Sequence, residues 1–253
     1  MLLGHRSRAL TLGTYDRVAA STDGGLECLS GFRFAFLGNL ISMKLGRQDG
    51  STPLIRLAEE GDAPQIAAIY APVVRDTIIS FETEPPSVEE IARRVRDTLV
   101  RWPWLVCERD GEVLGYAYAG AHRSRAAYQW SVDVSAYVRE DARQRGVGRA
   151  LYTSLIAALD LQGFYNAYAG IALPNDASVG LHEGMGFRLV GVYKAVGYKL
   201  GAWRDVGWWG FALPEGAASE ARPSPPVALP LATKAEGWTA ALERGLRLLR
   251  SGA

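Results

Sequence analysis

Cysteine is almost missing from this chain: Cys28 and Cys107 are the only two among 253 residues. They form neither a metal-spacing motif nor a disulfide framework, so no metal centre is expected and a reduced, cytoplasmic protein is the simplest reading. A charge of one sign is missing too. Lys and Arg total 28, Asp and Glu 27, and the formal net charge is +1. So near a balance gives no general attraction to nucleic acid or to an anionic membrane, and any basic site must be local. No apolar run reaches the ~18 residues that span a bilayer. Arg6 and Arg8 lie early, but no apolar stretch of the ~7–15 residues of a secretion signal follows them. The stretch Phe34–Met43 is broken by Gly38 and Asn39. Neither nucleic acid nor membrane is expected as a partner.

What is present divides into three parts. Residues 1–53 are rich in Gly, Ser and Arg with weak periodicity, and are expected to be poorly ordered; Met43 lies ten residues before Pro53, and residues 1–42 are expected to be a misassigned or disordered extension. Residues 54–213 carry dense helix and strand signals. Residues 214–253 open with a Pro/Ala/Ser-rich stretch, Pro214 to Pro230, expected to be an extended linker. A short amphipathic helix follows, with Leu242, Leu246 and Leu249 at helical spacing.

In the middle part, Leu54–Leu57 reads as a strand. Asp62-Ala-Pro-Gln65 and Ser87-Val-Glu-Glu90 read as capping boxes of two helices, reaching about Val74 and Arg101. Trp104–Arg109 and Val113–Ala121 form a hairpin around Asp110-Gly111. Tyr128–Val138 alternates as a strand, with Asp133 and Tyr137 on its more polar face. A helix spans Val147 to about Leu161, stopped by Gly163. A strand at Ala167–Leu173, a short helix at Ala177–Gly184 and strands near Phe187–Tyr198 and Asp205–Leu213 complete the pattern. This order predicts a single mixed sheet with helices on its faces.

Arg143-Gln-Arg-Gly-Val-Gly148 joins the Asp133 strand to the next helix. A helix N-terminus offers unpaired amides and partial positive charge, glycines let a ligand come close, and Arg143 and Arg145 add charge; together these suit a phosphate. The turn lacks the Lys-Ser/Thr ending of a P-loop, and Leu151 stands where a dinucleotide fingerprint needs its last glycine. Alone it equally fits a plain strand-to-helix connection.

Its surroundings extend the pattern. The element order and this turn resemble the GNAT superfamily of N-acetyltransferases. Ile79-Ser-Phe81-Glu-Thr-Glu-Pro85, Trp102-Pro-Trp104-Leu-Val, Gly120 to Tyr128, Leu173-Pro-Asn-Asp176, His182-Glu183 and Gly201-x-Trp203-x-Asp205-Val-Gly207 narrow the likeness to the phosphinothricin N-acetyltransferase family. It covers residues 54–213 and nothing outside. It implies an α/β (α+β) GNAT fold, a single mixed, mostly antiparallel sheet flanked by helices, with acetyl-CoA as co-substrate, no metal, a small-molecule amine as acceptor and a homodimer. Trp203, Trp208, Trp209 and Phe211 would supply the dimer interface or belong to the core.

The resemblance also implies roles for single residues. Arg143, Gln144, Arg145, Gly146, Val147, Gly148 and Arg149 would hold the CoA pyrophosphate. The backbone of Tyr137 and Val138, together with Asn175, would face the pantetheine arm, although Asn175 also reads as a helix cap. Arg123, Arg125 and Tyr128, with Phe81, would hold a tetrahedral anionic group of the acceptor. The catalytic pair would be Asp133 and His182. Chemistry asks for a base that takes a proton from the substrate ammonium, and Asp133 fits by position; without the likeness it reads as a solvated strand residue. The family has Glu in this place within Trp-x-x-Glu-x-Ser/Thr-x-Tyr-Val, and Trp130-Ser-Val-Asp133-Val-Ser135-Ala-Tyr137-Val138 has the shorter Asp, which favours a relay through water. His182 would orient the substrate or assist proton transfer. The same fold also allows another amino acid or a peptide N-terminus as acceptor, or an acetyl-CoA-binding module without turnover.

Overall fold

The computed structural model describes residues 53–213 and 223–249. The expectations for residues 1–52 and 214–222 lie outside the described residues. Seven strands form one sheet: β1 (Leu54–Leu57), β2 (Trp104–Arg109), β3 (Glu112–Ala121), β4 (Ser131–Val138), β5 (Asn166–Leu173), β6 (Arg188–Lys199) and β7 (Ala202–Ala212). Their order is β1-β2-β3-β4-β5-β7-β6. Only β4 and β5 run parallel; every other neighbouring pair is antiparallel. The helices are α1 (Ala63–Asp76), α2 (Val88–Leu99), α3 (Val147–Gln162), α4 (Asp176–Gly184), α5 (Leu229–Ala232) and α6 (Trp238–Glu243).

Two apolar layers hold the sheet. On one face Ile66, Val74, Ile91 and Val95 of α1 and α2 pack on Trp104, Val106 and Tyr116. On the other, Leu151, Leu155 and Leu159 of α3 pack on Leu105, Val132, Val134, Ala169 and Ile171. The period-2 alternation of β4 thus decides sides: Val132 and Val134 face α3, and Asp133 and Tyr137 face the α1/α2 side.

Local differences from the sequence expectation have physical causes. Asp62 precedes α1 but does not cap it. Its carboxylate takes the Arg56 guanidinium at 2.7 and 2.8 Å and the Glu59 amide at 2.8 Å. Gln65 instead clasps the Asp110-Gly111 turn, giving to the Gly111 carbonyl and taking from the Val113 amide. Ser87 does cap α2, accepting from the Glu90 amide at 3.2 Å, while the Glu90 carboxylate turns to Arg93 and Arg94. Tyr128 lies in a short 3-10 turn, Ala126–Tyr128, ahead of β4. The last hairpin is longer than its alternation suggested, because Leu200 and Gly201 both take positive φ and close it in two residues.

Residues 224–230, expected as free linker, are tied to the domain. The Ser224 carbonyl accepts from the Trp130 indole, and Val227 exchanges backbone and side-chain bonds with Gln162. Leu229, Ala232 and Trp238 are buried against Ala158 of α3. Ser154 of α3 donates to the Leu242 carbonyl and accepts from the Gly245 amide. A polar side chain inside an apolar helix face finds its partners in the C-terminal segment, which fixes that segment's register.

Candidate active site

The sheet splits where the parallel pair ends. β4 and β5 pair at Ser131↔Asn166, Val132↔Ala167 and Asp133↔Tyr168, and no further. Beyond that point Val134–Tyr137 and Ala169–Ala172 diverge and form the walls of a narrow cleft of about 50 Å³, closed by Tyr152, Asn175, Ser178, His182 and Ile79. Strand edges facing such a gap carry unpaired amides and carbonyls, which suit an extended ligand that can act as an added strand. Tyr137 lies on this edge, and Val138 follows it at the end of β4.

The glycine turn opens α3, the helix whose Tyr152 lines the cleft. Gly146 has φ +88° and precedes Val147, the first residue of α3. Arg143, Gln144, Arg145 and Arg149 are exposed around it, while the Val147 side chain is buried and offers only its backbone. Arg149 reaches across to the Gly184 carbonyl of α4 at 3.1 Å. A Cβ at Gly146 would run into the Leu248 carbonyl, so the C-terminal segment forms one shoulder of the turn. The first amides of α3 have no partners within the helix, and they sit beside exposed guanidinium groups. A strand-shaped gap and a helix N-terminus with exposed guanidinium groups are features that suit a long ligand with an amide-containing arm and a diphosphate.

His182 and Asn175 close the cleft from α4. Asn175 accepts from the Ser178 amide at 3.1 Å, so it caps α4 as well as lining the gap. His182 is buried, with Nδ1 2.7 Å from the Ser178 carbonyl and Nε2 2.9 Å from the Tyr152 hydroxyl. The carbonyl can only accept, so Nδ1 carries the hydrogen and Nε2 receives the Tyr152 O–H. Burial lowers the His182 pKa against the pull of the Ser178 carbonyl, and burial raises that of Tyr152. Tyr152 was absent from the sequence expectation. Its spacing in α3 reads as core, and only the packing of α4 reveals its hydroxyl as a lining group.

Asp133 stands on the other face of the sheet from the Tyr152–His182 pair. Its Oδ1 is 2.6 Å from His122 Nδ1. Burial pushes its carboxyl above the ordinary value, opposed by the His122 hydrogen bond and by the charges of His122 and Arg123. Arg123 donates to the His122 carbonyl, and its guanidinium lies 5.5 Å from the Trp208 ring centre. Tyr128 meets the His122 ring edge-on at 5.9 Å. Arg125 is exposed on the same loop. Among the described residues Trp208 Nε1 is buried with no hydrogen-bond partner, and such a donor ordinarily finds one. Phe81 lies over Gly197 of β6 and is partly exposed. The structure therefore gathers Arg123, Tyr128 and Asp133 around His122, a residue the sequence expectation passed over. Trp209 is buried core and Phe211 packs on Phe187, whereas Trp203 is 65% exposed.

Comparison with known proteins agrees with this geometry. The profile of the acetyltransferase (GNAT) domain matches residues 55–208. The chain belongs to the GNAT acetyltransferase family. Among its relatives is the phosphinothricin N-acetyltransferase of Streptomyces viridochromogenes, 40% identical over 162 residues, which are 63% of this chain and 88% of that protein. The L-methionine sulfoximine/L-methionine sulfone acetyltransferase of Pseudomonas aeruginosa is 38% identical over 157 residues, 60% of this chain and 90% of that one. The solved GNAT superfamily phosphinothricin acetyltransferase from Sinorhizobium meliloti, in complex with AcCoA, superposes with a TM-score of 0.65 at 35% identity, covering 69% of this chain and 94% of that one. The split sheet is thus that of an N-acetyltransferase.

Proposed function

We propose that this protein moves the acetyl group of acetyl-CoA to the α-amino group of a small amino acid whose side chain ends in a tetrahedral anionic or polar group, such as phosphinothricin, methionine sulfoximine or methionine sulfone. One observation carries the reading: β4 and β5 part just after Asp133, so that a cleft walled by Val134–Tyr137 and Ala169–Ala172 opens next to the carboxylate that His122 holds, with Arg123 and Tyr128 beside that histidine. The relatives named for those substrates support it.

Arg143, Gln144 and Arg145, with the amides of Gly146, Val147, Gly148 and Arg149, would hold the pyrophosphate of acetyl-CoA. Tyr137, Val138 and Asn175 would hold its pantetheine arm. Acetyl-CoA supplies an activated thioester carbonyl. Asp133 serves the removal of a proton from the substrate ammonium. Arg123 and Arg125 supply the positive charge, and Tyr128 and the orphan indole N–H of Trp208 the neutral donors, for the anionic end of the acceptor. Phe81 walls the acceptor side from the neighbouring loop. His182, with both ring nitrogens engaged, acts by holding Tyr152 against the cleft.

We assign a homodimer to the outer hairpin. Leu189, Val190, Tyr193, Tyr198, Leu200 and Trp203 expose apolar side chains on and beside the edge strand β6. An exposed edge of this kind is ordinarily covered. Sedimentation of the wild type and of Trp203→Glu checks this: a dimer that the substitution dissociates supports it, a monomeric wild type removes it. A cytoplasmic setting accords with the free, buried thiol of Cys107.

Thiol release from acetyl-CoA is the test of activity, with phosphinothricin, methionine sulfoximine, methionine sulfone, ordinary amino acids and a peptide with a free N-terminus as acceptors. Release with the first three supports the reading. Release only with the others moves the substrate assignment. Binding of acetyl-CoA without release for any acceptor ends the enzyme reading.

A further inference from the structure

Asp133 is not the end of its own hydrogen-bond path. Gly120 on β3 sits opposite Asp133 on β4, and His122 lies two residues beyond Gly120, so its side chain projects on the same face. Diagonal neighbours of this kind lie within reach of long side chains. The two meet at 2.6 Å, Nδ1 to Oδ1. We infer that His122, through Nε2, is the proton acceptor for the substrate amine and that Asp133 is its positioning residue. This rests on the N-acetyltransferase reading above.

The tautomer follows from the partner. An ionised carboxylate only accepts, so Nδ1 carries the hydrogen and the lone pair is left on Nε2. Among the described residues Nε2 has no hydrogen-bond partner, and the His122 side chain is 14% exposed. His182 makes the contrast, since both of its nitrogens are engaged. The His122 ring is held in place: it stacks on Tyr168 with centroids 4.5 Å apart and meets Tyr128 and Trp208 edge-on at 5.9 and 6.0 Å. The space a Cβ would fill at Gly120 is open, which leaves room beside the pair. The groups that bear on this imidazole are Asp133 from β4, Tyr168 from β5, Tyr128 from the loop and Arg123 next in the chain. A carboxylate one methylene shorter than Glu is expected to act through a relay, and here an imidazole occupies the relay position.

The proton balance is simple. The ammonium loses one proton to His122 Nε2, which passes it to solvent. The freed nitrogen lone pair forms the C–N bond as the C–S bond breaks. A second proton from nitrogen ends on the departing sulfur, and the third remains as the amide N–H.

The experiment compares wild type, His122→Phe, His122→Gln and Asp133→Asn in three measurements. These are kcat/KM against pH for an active acceptor, acetyl-CoA binding by calorimetry, and ¹⁵N-histidine NMR of the ligand-free protein. Phe keeps the stack on Tyr168, and Gln is the second variant should Phe disturb the fold. Removing a positioned general base lowers rates by about 10²–10⁴-fold; both His122 variants are expected in that range, without the acid limb and with acetyl-CoA affinity intact. The spectra are expected to show the Nδ1–H tautomer for His122. Asp133→Asn is expected to keep part of the activity and to weaken the Nδ1–H preference of His122 in the spectra, because the charged acceptor that faces Nδ1 is gone. Near-wild-type rates with an unchanged acid limb in both His122 variants, while Asp133→Asn is inactive, would make Asp133 itself the base and overturn the proposal. A wild type that releases CoA with no amine removes the acetyltransferase reading itself, and this proposal with it.

Discussion

Tyr152 gives its hydroxyl hydrogen to His182 Nε2 across 2.9 Å, joining the middle of α3 to α4 beneath the cleft. Removing the hydroxyl in Tyr152→Phe leaves a buried imidazole nitrogen without a partner, at a cost of about 1–3 kcal/mol. Thermal unfolding should show a midpoint several degrees lower. Because Tyr152 lines the cleft, acetyl-CoA affinity should weaken more than the acceptor KM changes.

The same histidine makes stability depend on pH. Burial lowers the His182 pKa below its ordinary value, so between the two values the unfolded chain binds a proton that the folded chain does not. Stability from this group is therefore complete above about pH 6.5 and declines as pH falls through that value. Urea unfolding at pH 7.5 and 5.5 should show the wild type losing more stability on acidification than His182→Gln. Equal losses would remove the assignment.

Lys199 should act on the acceptor side more than on the acyl donor. Its ammonium donates to the carbonyls of Val74, Ser80 and Glu82 at 2.6–2.7 Å, pinning the loop that carries Ile79 and Phe81. Lys199→Met strands three acceptors. The acceptor KM should rise about tenfold or more, with a stability loss of about 1–3 kcal/mol. Steady-state kinetics with each substrate varied in turn checks the split.

Gly146→Ala should be costly at one turn. The αL backbone there carries a penalty of about 1–2 kcal/mol for a residue with a Cβ, and the new methyl meets the Leu248 carbonyl. Acetyl-CoA binding by calorimetry should weaken, while affinity for the acceptor follows only through the ternary complex.

Deleting residues 214–253 should destabilise the domain. The segment buries Leu229 and Trp238 against α3, and each fully buried large apolar side chain contributes about 1.5–3 kcal/mol. It also satisfies Ser154. A lower unfolding midpoint is expected, together with weaker acetyl-CoA binding, since α3 carries the turn. A truncated protein as stable as the full chain would make the segment a passive appendage.

Much of the fold was readable because its signals are local. The Asp110-Gly111 hairpin, the Ser87 cap and Gly163 at the end of α3 each follow from a few adjacent residues. Tyr137 and Asp133 were placed on one face by alternation alone. The meeting of His122 and Asp133 was not readable. Nine residues, 122–130, separate β3 from β4, and no tight turn sets the register between them. Tyr152 was hidden for a related reason, since helical spacing puts it among core residues and its hydroxyl acquires meaning only from α4. Ser154 and Gly245, remote in sequence, gave no sign of their contact.

By itself, then, the sequence determined which segments are helices and strands, the glycine turn after β4 and the acetyltransferase likeness, since these depend on spacing over a few residues. Tertiary structure alone decided which histidine keeps a ring nitrogen without a hydrogen-bond partner among the described residues. That choice depends on strand register and on packing between α3 and α4, where a difference of one hydrogen-bond partner separates an engaged imidazole from an available one.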